Sequence, residues 1–155
     1  MSIGLILIII VSVIAGGYFI LLIIIQLISK RPNNLGISGG RLQACPDIPN
    51  CVCSYSKEKN SKIEPYSFSK SIKEQNSILI EIIQKYPRTR IIKNEINYVY
   101  AEFRSLAWRF IDDVEFFLDE TAKCIHFRSA SRIGTNDFGM NRKRMEDIRQ
   151  LLKES

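Results

Sequence analysis

From Ile3 to Ile28 the chain carries no charged residue, and Ser12 and Gln26 are the polar side chains of the run. As a helix it would be about 39 Å long at roughly 1.5 Å per residue, against about 30 Å of bilayer hydrocarbon. It is long enough to cross with some tilt. The many isoleucines are modest helix formers in water. In lipid that matters less, because backbone groups must be satisfied internally. A cleaved signal peptide would show an apolar core of about 7–15 residues behind a basic start. Neither is present, so the pattern predicts a retained single-pass anchor over residues 1–29.

The pattern changes after Ser29. Residues 30–65 are rich in Gly, Pro, Asn and Ser and read as a linker with a cysteine-containing loop. Residues 66–155 read as an α+β domain. Its first helix lies in "SKSIKEQNSILIEIIQKYP", with Ser71 and Glu74 fitting a capping box and Pro87 ending the run. Ile72, Leu79, Ile83 and Tyr86 form the apolar stripe, flanked by Ile80 and Ile82. Strands follow in "TRIIKN", "INYVYAEFRS", "AWRFIDDVEFFLDE" and "KCIHFRSASRI", with a turn at Asp119–Lys123. A last helix runs from about Asn141 to Leu152, with Met145, Ile148, Leu151 and Leu152 inward. Helix, strands, helix in that order predicts a two-layer domain: an antiparallel sheet of about four strands with two helices.

Alternation along the strands separates two faces. One collects Val99, Ala101, Phe103, Trp108, Phe110, Val114, Phe116, Leu118, Ile125, Phe127 and Ile133, a core for the helices to cover. The other collects Tyr98, Tyr100, Glu102, Arg104, Arg109, Asp113, Glu115, His126, Arg128 and Arg132. Asp112 falls among apolar neighbours, which marks either a bulge or an acid partnered by an arginine. The polar face is expected to interleave its charges, with Arg104, Arg128 and Arg132 each near a carboxylate of Glu102, Asp112, Asp113 or Glu115.

Charge changes the picture of partners. All 22 Lys+Arg and 16 Asp+Glu follow the anchor, so the net +6 belongs to the remainder. No nucleic-acid-binding motif is present, and a membrane tether disfavours that partner. A bilayer with anionic headgroups is the more economical one. Arg142, Lys143 and Arg144 stand in the first turn of the last helix, where the macrodipole disfavours cations. Either Asp137 and Asp113 neutralise them, with Asn141 or Asn136 capping, or Arg142 and Arg144 join Arg132 as an anion site. Arg104 and Arg128 extend that candidate binding set. Lys30 and Arg31 directly after the anchor favour a cytoplasmic domain by the positive-inside rule.

The cysteines point the other way. Cys45 and Cys51 bracket "CPDIPNC", whose prolines bend the loop. A disulfide between them is the natural reading, with Cys53 as an alternative partner, and it requires an oxidising compartment. The spacing does not suit structural zinc, and no metal or other cofactor is implied. His126 has no evident nucleophile beside it. Asp112 and Asp113 are adjacent, so a strand sends them to opposite faces.

"GRLQACPDIPNCV", "AEFRSLAWRFIDDVEFFLDE" and "IHFRSASRIGTNDFGMNRKRMEDIR" together resemble the uncharacterised family known as domain of unknown function 1499, over about Gly40 to Leu152. The resemblance implies an export or anchor segment and an extracytoplasmic domain, at the inner membrane. It brings no catalytic residues. Its signature positions here include Cys45, Cys51, Glu102, Arg104, Asp112, Asp113, Glu115, Arg128, Ser129, Ser131, Arg132, Asp137, Asn141 and Arg142. Cys53 stands where the family more often has Ser, which keeps it open as a disulfide partner. The leading expectation is a non-enzymatic envelope protein with a face for an anionic ligand or a membrane-protein partner. The alternatives are a hydrolase or transferase using Glu102, Asp113 or His126, and an assembly factor of a membrane complex.

Overall fold

The computed structural model describes residues 2–155. The apolar run forms one helix, α1 (Ile3–Ile28), capped by Ser2. Short strands follow: β1 (Ile37–Ser38), β2 (Arg41–Leu42), β3 (Cys51–Cys53) and β4 (Tyr66–Ser67). Then come α2 (Ile72–Gln84), β5 (Thr89–Glu95), β6 (Tyr98–Arg104), β7 (Ile111–Asp119), β8 (Cys124–Ser131) and α3 (Met140–Lys153). The capping box behaves as expected, since Ser71 Oγ accepts from the Glu74 amide at 3.2 Å.

The α+β class stands, but the main sheet has six antiparallel strands rather than about four. Their order is β3-β8-β7-β6-β5, and β4 also pairs with β8. The two added strands are three and two residues long. They lie in turn-rich sequence too short to show alternation, and the exposed edge of β8 recruits them. β1 and β2 form a separate small hairpin.

The apolar face of the sheet packs under α2 and α3. Val99, Ala101, Phe103, Val114, Phe116, Leu118, Ile125 and Phe127 meet Leu79, Ile82, Ile83, Met145, Ile148 and Leu152 there. Trp108 and Phe110 do not join this core, as alternation had them do. β7 begins only at Ile111, so residues 105–110 are a loop, and a pleat rule has no force outside a strand. Ile133 also lies outside, because β8 ends at Ser131. The register through Asp112 is regular, pairing Phe103 and Ser131, so no bulge sits there. The bulge lies in β5 instead, between Ile91 and Lys93.

The polar face is covered as well. Leu35, Leu42 and Tyr55, from the segment after the anchor, close over Tyr98, Tyr100 and Phe117. The end of α1 also meets the sheet here, with Ile25 and Ser29 buried. The linker is thus a second layer over the sheet.

Candidate functional site

β6, β7 and β8 lie side by side, and alternation sends Glu102, Asp113, Glu115 and Arg128 to one face. Arg132, just past β8, folds back over them. Its Nε donates to Asp113 Oδ2 at 2.9 Å and its Nη2 to Asp113 Oδ1 and Glu102 Oε1, both at 2.6 Å. Arg31, from the linker, donates to Glu102 Oε1 at 2.7 Å. Arg128 donates to Glu115 Oε2 at 2.8 Å, inside the protein. Tyr98 donates to Glu115 and Tyr100 to Asp113, at 2.7 and 2.6 Å. Gly36 adds its amide to Glu115 at 2.6 Å. Arg104 approaches Glu102 at 3.7 Å. All three expected arginines therefore sit beside a carboxylate. Arg31 and the two tyrosines complete the set, and the linker carries Arg31 in from more than 70 positions away.

Burial and pairing oppose each other here. Burial raises the pKa of Glu102, but hydrogen bonds from Arg31 and Arg132, with their charges, bring it down to about 2. Burial works against the Arg132 charge, and its bonds to Asp113 and Glu102 lift its pKa above the ordinary value. The Tyr98 and Tyr100 hydroxyls are pushed up by burial and by the carboxylates they bond. The result is a closed network of paired charges in which Glu102 stays ionised at neutral pH.

A second network lies on the helix side of the same strands. Asp112 points to this face, opposite Asp113, and accepts from Arg144 Nη2 and Ser131 Oγ at 2.6 Å each. Arg144 also donates to Asn141 Oδ1 at 2.9 Å, and Ser129 does so at 2.5 Å. Asn141 Nδ2 reaches Asn50 O at 2.9 Å and so ties α3 to the cysteine loop. Arg144 thus finds its carboxylate in Asp112, not Asp113. Helix capping also differs from expectation. α3 starts one residue earlier, after Gly139 at φ +77°, and the Asp137 carboxylate accepts from the Asn141 amide at 2.7 Å. Asn141 itself turns inward, and Asn136 accepts from Phe138 N outside the helix.

Of the remaining first-turn cations, Lys143 pairs with Asp147. Arg142 donates to the carbonyls of Asn60 and Lys62 at 3.0 and 2.7 Å. Arg132, Arg142 and Arg144 therefore occupy three separate settings. Arg142 is the one that lines a cleft, of about 690 Å³, between the cysteine loop, residues 55–61 and the start of α3.

Cys45 and Cys51 are disulfide-bonded, with Cα atoms 5.6 Å apart. Cys53 is a free, buried thiol. His126 does have a sulfur neighbour, which i, i+2 spacing on a strand signals: Cys124 Sγ lies 3.3 Å from its Nε2. Burial raises the Cys124 pKa, with Asp119 adding to the effect, and burial lowers that of His126. Both are therefore neutral at pH 7, the opposite of a thiolate–imidazolium nucleophile. The imidazole lies nearly parallel to the rings of Tyr55 and Phe117, with centroids 4.3 and 5.9 Å away.

The anchor joins the site through residues whose role sequence did not announce. Gln26 Nε2 donates to Arg109 O at 3.1 Å, and its Oε1 accepts from Arg104 Nη1 at 3.1 Å. Ser29 O accepts from Arg132 Nη1 at 3.2 Å. Tyr18, counted among the apolar residues, donates to Ala107 O at 2.6 Å. Arg109, expected on the sheet face, is in the loop at φ +60°.

The family model described as a protein of unknown function, DUF1499, matches residues 41–152. No curated protein and no solved structure matches the chain. The matched span runs from β2 into the last helix and takes in the disulfide loop, the second network and the sheet residues of the first, while Arg31 and Gly36 lie before it. The chain therefore belongs to the DUF1499 family.

Proposed function

We propose that this is a single-pass membrane protein whose α+β domain is a non-catalytic binding or assembly module, held rigidly on its anchor outside the cytoplasm. One observation carries the reading. The charged network that looked like a reactive face is closed by the anchor and linker themselves, through Arg31 on Glu102, Ser29 on Arg132 and Gln26 on Arg104. Carboxylates spent on three arginines serve as a mount, and proton transfer would need at least one of them free. The disulfide supports an oxidising compartment. The cleft beside it, with Arg142 at its edge, is the surface offered to an anionic ligand or a partner protein.

The test compares the full chain in detergent with a form lacking residues 2–28. A mounted domain should melt at a clearly lower temperature without its anchor. Equal melting would mean a slack tether and would remove the basis of the reading. Thiol labelling of a Cys45-reduced sample in intact and permeabilised cells reports the side. Labelling only after permeabilisation would place the domain in the cytoplasm.

A further inference from the structure

Exposed apolar side chains outside the anchor are unevenly placed. Leu106 and Trp108 are 73% and 45% exposed, in the loop joining β6 to β7. Phe138 is 91% exposed, in the loop leaving β8. Both loops emerge from the same end of the sheet, since Arg104 pairs with Ile111 and Asp112 with Ser131. That is also the end where α1 arrives, through Ser29 on Arg132 and Gln26 on Arg109.

Depth follows from the helix. The 26 residues of α1 exceed a bilayer's hydrocarbon by about 9 Å, or about six residues. If all of that excess lies on the domain side, the boundary falls near Leu21 to Ile23, and Tyr18 is about 6 Å inside it. Tilt, or excess on the far side, puts Tyr18 deeper. Its hydroxyl holds Ala107 O at 2.6 Å, and its ring lies 5.8 Å from that of Trp108. The loop must therefore share its depth. Gln26 holds Arg109 about 6 Å to the water side of the same boundary, at headgroup level. An apolar tip below and a cation above is how an interfacial segment is built.

We propose that the loop Ser105–Phe110 is a second membrane contact, with Leu106 and Trp108 inserted in the acyl–headgroup boundary of the leaflet that α1 leaves. The occupant of this surface is lipid, because the loop is continuous with the lipid-facing side of the anchor. The inference rests on the anchor being a retained span. It explains a polar group in α1: Tyr18 would be costly in lipid if unpaired, and the loop satisfies it, while Gln26 ties the same loop to the helix at headgroup level.

Trp108 is the chain's single tryptophan, so the full protein reports on itself. It would be reconstituted in phosphatidylcholine vesicles, with and without bromine high on the acyl chains. The expected result is loss of most Trp108 emission in brominated lipid, with little quenching by aqueous iodide. In a Leu106→Asp variant the emission should shift to the red. Alkaline washing of the vesicles separates the two levels of the argument. Protein that stays in the membrane but is quenched by iodide and spared by bromine overturns loop insertion alone. Protein stripped off by the wash overturns the anchor reading and loop insertion together.

Discussion

Arg132→Ala should be among the most damaging single substitutions in the domain. The guanidinium makes three bonds to Asp113 and Glu102 of 2.6 to 2.9 Å. Without it Glu102 retains Arg31, a half-exposed partner, and Arg104 at 3.7 Å. Asp113, 1% exposed, would keep only the Tyr100 hydroxyl. Removing one member of a buried ion pair typically costs about 3–5 kcal/mol, because a charge is left buried without compensation. For a domain of this size that is a fall in Tm of roughly 10–20 °C. The assay is reversible denaturation of the full chain in detergent, followed by Trp108 fluorescence. Two features distinguish this cause from a mere loss of packing. Neutralising the acids as well, in Arg132→Met/Glu102→Gln/Asp113→Asn, should restore most of the stability. The deficit of Arg132→Ala should also narrow from pH 7 to pH 4, as the stranded carboxylates take up protons. In the wild type the sign runs the other way. Glu102 is held at about 2, so its contribution is complete above its ordinary value of 4.5 and is lost as pH falls from there through about 2. A loss below about 1 kcal/mol at pH 7, the scale of a surface pair, would refute the reasoning. So would a deficit that does not change with pH.

Replacing both Cys45 and Cys51 by Ala should cost about 2 kcal/mol, since the closed loop is short, and titration of denatured, unreduced wild type should find the two thiols of Cys53 and Cys124. Asp137→Ala removes the carboxylate on the Asn141 amide and should cost about 1 kcal/mol in chemical denaturation, with Asp137→Asn retaining most of it. Gln26→Leu frees the Arg109 carbonyl and the Arg104 guanidinium and should speed tryptic cleavage after these two residues, while cleavage outside this loop stays unchanged.

Local rules carried the reading as far as periodicity and capping reach. The charge-free run from Ile3 to Ile28, the Ser71 cap, the stripes of α2 and α3 and the pleat of β6 and β8 are properties of neighbouring residues. They follow from the sequence with no knowledge of what packs where. The same pleat assigned Glu102, Asp113, Glu115 and Arg128 to one face and Asp112 to the other. Long-range choices were beyond it. Nothing near Arg31 says that it crosses to Glu102, and nothing near Gln26 says that it braces Arg104 and Arg109. Trp108 looked like a core residue because alternation was carried past the end of a strand, where hydrogen-bonded pairing no longer dictates side-chain direction. β3 and β4 are too short to show a period, and only the open edge of β8 makes them strands. Their pairing, the closure of the charged face by the linker and the seating of the loop on the anchor depend on distances between segments far apart in sequence. Tertiary packing sets those distances, because each buried charge or carbonyl must find a partner wherever the fold brings one.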